Sequence, residues 1–122
     1  KGDLMSLKDI VDSFCIMYAA ANNRLEHSKA YEFMKDKTVF FIGKLLTDDL
    51  KNGDEISYMG IERESADGTS YEAVKCFLTK ESAEQYNDSK KPVSPANLAY
   101  LQAFWGKPVI IEPHRNYWIE FK

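Results

Sequence analysis

The stretch Val109–Phe121, VIIEPHRNYWIEF, decides how the second half of this chain is read. Three consecutive apolar residues, Val109, Ile110 and Ile111, predict a strand. Pro113 cannot donate to a ladder, so that strand stops there. His114, Arg115 and Asn116 supply a turn. Beyond it Tyr117, Ile119 and Phe121 alternate with Trp118, Glu120 and Lys122. A period of two predicts a second strand with one buried and one half-wet face. The stretch is therefore read as a hairpin with His114 and Arg115 at its tip, where a binding site can still form. The competing reading pairs His114 with Glu112 or Glu120 as acid and base. That chemistry also needs a nucleophile or an activated water, and the surrounding sequence shows neither.

Working outward, SPANLAYLQAFWGKP (94–108) has the punctuation of a helix. Ser94 is the expected N-cap, Pro95 the first helical residue, and Gly106 with Pro108 the stop. Leu98, Leu101 and Trp105 share one face, with Tyr100 and Phe104 at its flank. TKESAEQYND (79–88) predicts a short helix capped by Thr79, with Ala83 and Tyr86 on one side, and SKKPV a linker. EISYMGIERESADGTSYEAVKCFLT (55–79) reads as two strands joined at Asp67-Gly68. Apolar residues fall on both of its faces, as expected near the centre of a sheet. TVFFIGKLL (38–46) is a further strand covered on both sides. The loop TDDLKNGDE (47–55) turns at Asn52-Gly53. Its Asp48, Asp49, Asp54 and Glu55 lack the alternate spacing of an EF-hand loop, so it reads as solvated.

The N-terminal MSLKDIVDSFCIMYAAANN (5–23) predicts a helix, with Ser6 and Asp9 as a capping box and Asn22-Asn23 as the stop. Leu7, Ile10, Val11, Phe14, Met17 and Tyr18 form a stripe expected to be core. RLEHSKAYEFMKD (24–36) predicts a second helix that buries Leu25, Tyr31, Phe33 and Met34 and leaves His27 solvated. The fold class that follows is α+β: one domain over 1–122, a mixed or antiparallel sheet with flanking helices, and residues 1–21 as an extra N-terminal helix.

Composition narrows the function. With 122 residues, 44 % of them hydrophobic and 13 % aromatic, one core can form and no second domain is signalled. A net charge of −3 and a pI near 5.4 disfavour nucleic acid as a partner. No apolar run approaches the roughly 20 residues that span a bilayer. The opening KGDLMSLK carries no signal-peptide pattern, so a cytoplasmic location is expected. Cys15 and Cys76 lack partners at zinc spacing. Both lie among apolar residues, and buried free thiols are expected rather than a disulfide.

The runs VKCFLTKESAEQYN, PANLAYLQAFWGKPVIIEP and YWIEF resemble the N-terminal domain of the SseB family. The shared features are Phe77 and Thr79 at a strand end, Ala83 in the short helix, and Leu98 and Leu101 in the next helix. The apolar strand Val109 to Pro113 completes them. Upstream, NNRLEHSKAYEFMKDKTVFFIGKLL resembles the family's opening helices and first strand, so the resemblance covers roughly residues 22–122. One departure is Glu112-Pro113, where the family often has Asn-Pro. The resemblance implies an α+β domain without established catalysis. Members look like accessory or interaction modules, and similar small domains occur as bacterial toxin-immunity proteins.

The expected function is thus a non-catalytic protein-interaction module, with a toxin as one form its protein partner could take. Its candidate contact residues are Tyr100, His114, Arg115, Tyr117 and Trp118, because Tyr, Trp and Arg are enriched at hot spots. No catalytic residue, metal ligand or cofactor is assigned. The alternatives are a small-ligand domain, with its pocket between the sheet and the 95–105 helix, and a His-dependent hydrolase.

Overall fold

The computed structural model describes residues 6–44 and 57–122. The acidic loop with Asp48, Asp49, Asp54 and Glu55, the Asn52-Gly53 turn, Leu45, Leu46 and Ile56 lie outside the described residues. Among the described residues the chain runs α1 (Leu7–Ala21), α2 (His27–Met34), β1 (Thr38–Lys44), β2 (Ser57–Tyr58), β3 (Gly60–Glu64), β4 (Ser70–Phe77), α3 (Lys80–Gln85), β5 (Val93–Asn97), α4 (Leu98–Trp105), β6 (Val109–Ile111) and β7 (Ile119–Phe121). The fold is α+β, and the sheet is mixed. β4 and β6 are parallel while the other pairs are antiparallel. Strand order is β2-β1-β4-β6-β7, with β3 beside β4 and β5 beside β1.

The sheet forks. The segment expected as one strand from residue 57 to 64 breaks at Met59, pairing first with β1 and then with β4. Beyond the fork β1 pairs directly with β4 at Phe40 and Phe41. Gly43 permits the close approach of β1 and β2. Its φ is 149°, and a Cβ there would lie 2.1 Å from the Ser57 carbonyl oxygen, so no other residue fits without moving backbone.

One sheet face carries the main core. Val74, Cys76, Val109, Ile111, Ile119 and Phe121 pack there under Met17, Ala20, Ala30, Met34, Leu98 and Leu101 of the helices. A smaller cluster of Ile42, Phe77 and Ala83 sits under α3 on the opposite face. β4 is therefore apolar on both sides, as its pattern predicted.

Ser6 accepts from the Asp9 amide and caps α1, and Thr79 accepts from the Ser82 amide and caps α3. Asn22 ends α1, and Gly106 ends α4 in the left-handed conformation. Helix α2 starts at His27 rather than Arg24; it buries Met34 and Ala30 fully and Tyr31 and Phe33 in part, with Leu25 half-buried just before it, and His27 is exposed, as read.

Three expectations need correction. The α1 stripe is not all core: Leu7 is 78 % exposed, and Val11 and Tyr18 are exposed too, while Ser13, Met17 and Ala20 face inward. The apolar positions spread around the helix, and the sheet covers only one arc of it. Cys15 is exposed on that outer arc, so only Cys76 is a buried thiol; both are free. Ser94 and Pro95 do not start a helix. They belong to β5, and Asn97 caps α4 by accepting from the Tyr100 amide. Gly43 N–H donates to Pro92 O and Leu98 N–H to Lys37 O. Counting between these bonds, Pro95 opposite Phe40 falls at a position whose amide faces away from β1. The missing N–H costs the ladder nothing and blunts an edge strand.

Candidate interaction face

Most of the functional residue types of the C-terminal hairpin are engaged within the protein. Glu112 is 1 % exposed and sits at φ 55°, a conformation costing a non-glycine residue on the order of 1–3 kcal/mol. Its contacts hold it there. One carboxylate oxygen accepts from the Leu78 amide at 2.9 Å and the other from Ser82 Oγ at 2.8 Å, with Arg115 Nε 3.8 Å away. The Glu112 amide donates to Cys76 O. The carboxylate thus ties the hairpin to the β4–α3 junction.

Arg115 also donates to Gln85 Oε1 at 2.8 Å, and its side chain is only partly exposed. His114 is exposed at its edge but stacks on Tyr86, centroids 4.0 Å apart, in a layer that continues to Phe77. Burial against these rings, then Lys75 and Arg115, push the imidazole below its ordinary pKa. Tyr117 points inward and packs edge-on against Phe14 of α1, centroids 5.5 Å apart. It is half-buried and drops out as an exposed contact residue, although its partners Ile119 and Phe121 share the buried face as the alternation predicted.

Glu120 is taken as well. It accepts from Arg63 Nε at 3.0 Å and from the Tyr71 hydroxyl at 2.6 Å. β3 and β7 are separated by β4 and β6, so the contact is made by two long side chains reaching over the strands between them. Trp118, 41 % exposed, lies over the Arg63 guanidinium at 4.7 Å. Neither glutamate is oriented on His114, so the competing reading's His–Glu pair does not form.

Tyr100 has the opposite setting. It is 50 % exposed on α4, and Phe104, one turn on, is 43 % exposed. Their rings continue through Trp105 to Tyr58 on β2, with successive centroids 6.0, 5.0 and 4.5 Å apart. The spacing from Tyr100 to Phe104 puts both on one helix face. Leu98 and Leu101 anchor the other face in the core. Trp105 is half-buried, and its Nε1–H is shut off from solvent with no acceptor.

At the β2 end the Tyr58 hydroxyl donates to Glu72. Burial, then this carboxylate, push the Tyr58 pKa up to about 12. Glu72 reaches Tyr58 by lying across Gly60, where a Cβ would meet Glu72 Oε2 at 2.7 Å. Glu62 stands directly opposite Glu72 across the β3–β4 ladder, and Glu64 follows on the same face. Among the described residues none of these three glutamates is in an ion pair.

Phe104, Trp105, Tyr58 and the glutamates were not among the residues singled out from the sequence. Tyr100 was. A two-residue turn at Asp67-Gly68 would set Glu62 opposite Ala73; the Ser65–Thr69 bond closes a three-residue loop instead and sets it opposite Glu72, so that pairing was not legible. Nor was the proximity of α4 to β2.

A cleft of about 400 Å³ lies elsewhere, lined by Ile10, Phe40, Leu78, Val93 and Pro95 among others. It sits between α1 and the β5 edge, and a second, shallow cleft of about 430 Å³ lies beside α4, lined by Tyr31, Ala99, Gln102, Ala103 and Lys122 among others. No group of three or more His, Cys, Asp or Glu suited to a metal occurs among the described residues, and no described helix is long and apolar enough to cross a membrane. Comparison with known proteins gives no matching family model, no matching curated protein and no matching solved structure.

Proposed function

We propose that this domain is a protein-interaction module that docks its partner through the α4–β2 aromatic face. The observation that carries the reading is the pair Tyr100 and Phe104, half exposed on a helix whose other face is fixed in the core. Rings held on a rigid element bring large contact area with little ordering cost. The resemblance to the SseB N-terminal domain, carried by Phe77, Thr79, Ala83, Leu98, Leu101 and Val109–Pro113, supports the same role. A cytoplasmic setting and a toxin as partner belong to this proposal. Trp118 over Arg63 is a secondary contact, reached from the opposite sheet face.

The test is affinity capture with the tagged chain from cells that express it, run beside Tyr100→Ser/Phe104→Ser. A stoichiometric protein held by the native chain and lost from the variant supports the reading. Equal capture by both places the contact elsewhere, and no capture by either removes its main support.

A further inference from the structure

Resting on the interaction-module reading, we infer that the α4–β2 face takes a cationic segment of its partner, a stretch in which Lys or Arg flanks an apolar residue. The docking surface is the exposed pair Tyr100 and Phe104, continued by the half-buried rings of Trp105 and Tyr58. The charge beside it selects the occupant. Glu62 and Glu72 are paired positions across the ladder, so two carboxylates leave the same sheet face, with Glu72 turned over Gly60 toward Tyr58. The cation nearest in sequence, Arg63, points to the opposite sheet face and is committed to Glu120. Glu72 thus brings a carboxylate to the Tyr58 end of the rings, with Glu62 on the same sheet face, and neither is in an ion pair among the described residues.

A cation arriving there does two things at once. It pairs with the Glu72 carboxylate, and it can lie over a ring face. The apolar residue beside the charge covers Tyr100 and Phe104. An acidic segment would add a further like charge and is disfavoured by the same geometry.

The experiment titrates the ¹⁵N-labelled full chain with two blocked synthetic peptides of equal length, identical except that Lys and Arg in one are Glu in the other. The expected result is that the cationic peptide shifts amides around Tyr58, Glu62, Glu72, Tyr100, Phe104 and Trp105 and the acidic one does not. Glu62→Gln/Glu72→Gln should then weaken the cationic peptide about fivefold, the loss of two exposed pairings of about 0.5 kcal/mol each. Binding of both peptides at this face with equal affinity overturns the charge selection and leaves the interaction reading standing. Shifts confined to other surfaces, or absent, overturn the inference. In that case the interaction reading is decided separately by whether Tyr100→Ser/Phe104→Ser loses the captured partner. Thermal melts of each variant confirm that it is folded before its affinity is compared.

Discussion

The turn from Glu112 to Trp118 and the helix from Leu98 to Trp105 are both dense in residue types that bind partners, yet the fold uses them differently. In the turn, Glu112 is buried under Leu78 and Ser82, Arg115 is held by Gln85, His114 is stacked on Tyr86, and Tyr117 is packed on Phe14. In the helix, Leu98 and Leu101 do the anchoring, and Tyr100 and Phe104 are left to solvent. Residue type alone therefore does not mark a contact surface. What distinguishes the two regions is whether each polar or aromatic group already has a partner inside the molecule.

If that contrast is right, the largest stability effect belongs to the turn. Glu112→Ala leaves the Leu78 amide and the Ser82 hydroxyl without their acceptor in a buried place, and unfolding in urea should show a loss of about 3 kcal/mol. Because a less stable fold opens more often, the buried Cys76 thiol should label faster in this variant, while the exposed Cys15 labels quickly in both. A loss under about 1 kcal/mol would erase the contrast.

Glu120→Ala ranks next. It strips Arg63 and the Tyr71 hydroxyl of their shared acceptor, and a loss of about 2 kcal/mol is expected in the same assay. Asn97→Ala removes the cap of α4 and should cost about 1 kcal/mol. Tyr100→Ser and Phe104→Ser should each cost only about 1 kcal/mol, because about half of each residue is already in water.

The turn also carries a pH signature. The folded-state pKa of His114 is lowered, so the unfolded chain binds its proton first as pH falls. The stability associated with neutral His114 is present above its ordinary value near 6.5 and is lost as pH falls through the lower folded value. His114→Phe should flatten the stability profile just below pH 6.5 relative to the native chain. An unchanged profile would show that the stack leaves the imidazole unperturbed.

Much of the architecture was legible because local rules and packing agree. Ser6, Thr79 and Gly106 cap their helices, the Asp67-Gly68 turn closes its hairpin, and the alternation from Tyr117 to Phe121 sorts buried from wet residues. The reading failed where a local rule had two outcomes. Ser94-Pro95 satisfies a helix start and also an edge strand whose amide faces outward, and only the partner strand β1 decides. Leu7, Val11 and Tyr18 fit a core stripe, but the area of sheet beneath α1 covers one arc alone. The interaction face was half legible. Tyr100 stood out by type, whereas Phe104, Trp105 and Tyr58 join it only through the approach of α4 to β2, a contact between residues far apart in sequence.

The most direct test of the central claim sets the two regions against each other in one capture experiment from cells that express the protein. Tyr100→Ser/Phe104→Ser is compared with His114→Ser/Trp118→Ser, both folded by thermal melt. The account predicts that the helix variant loses the native partner and the hairpin variant retains it. Retention by the helix variant and loss by the hairpin variant would contradict it and return the contact to the turn.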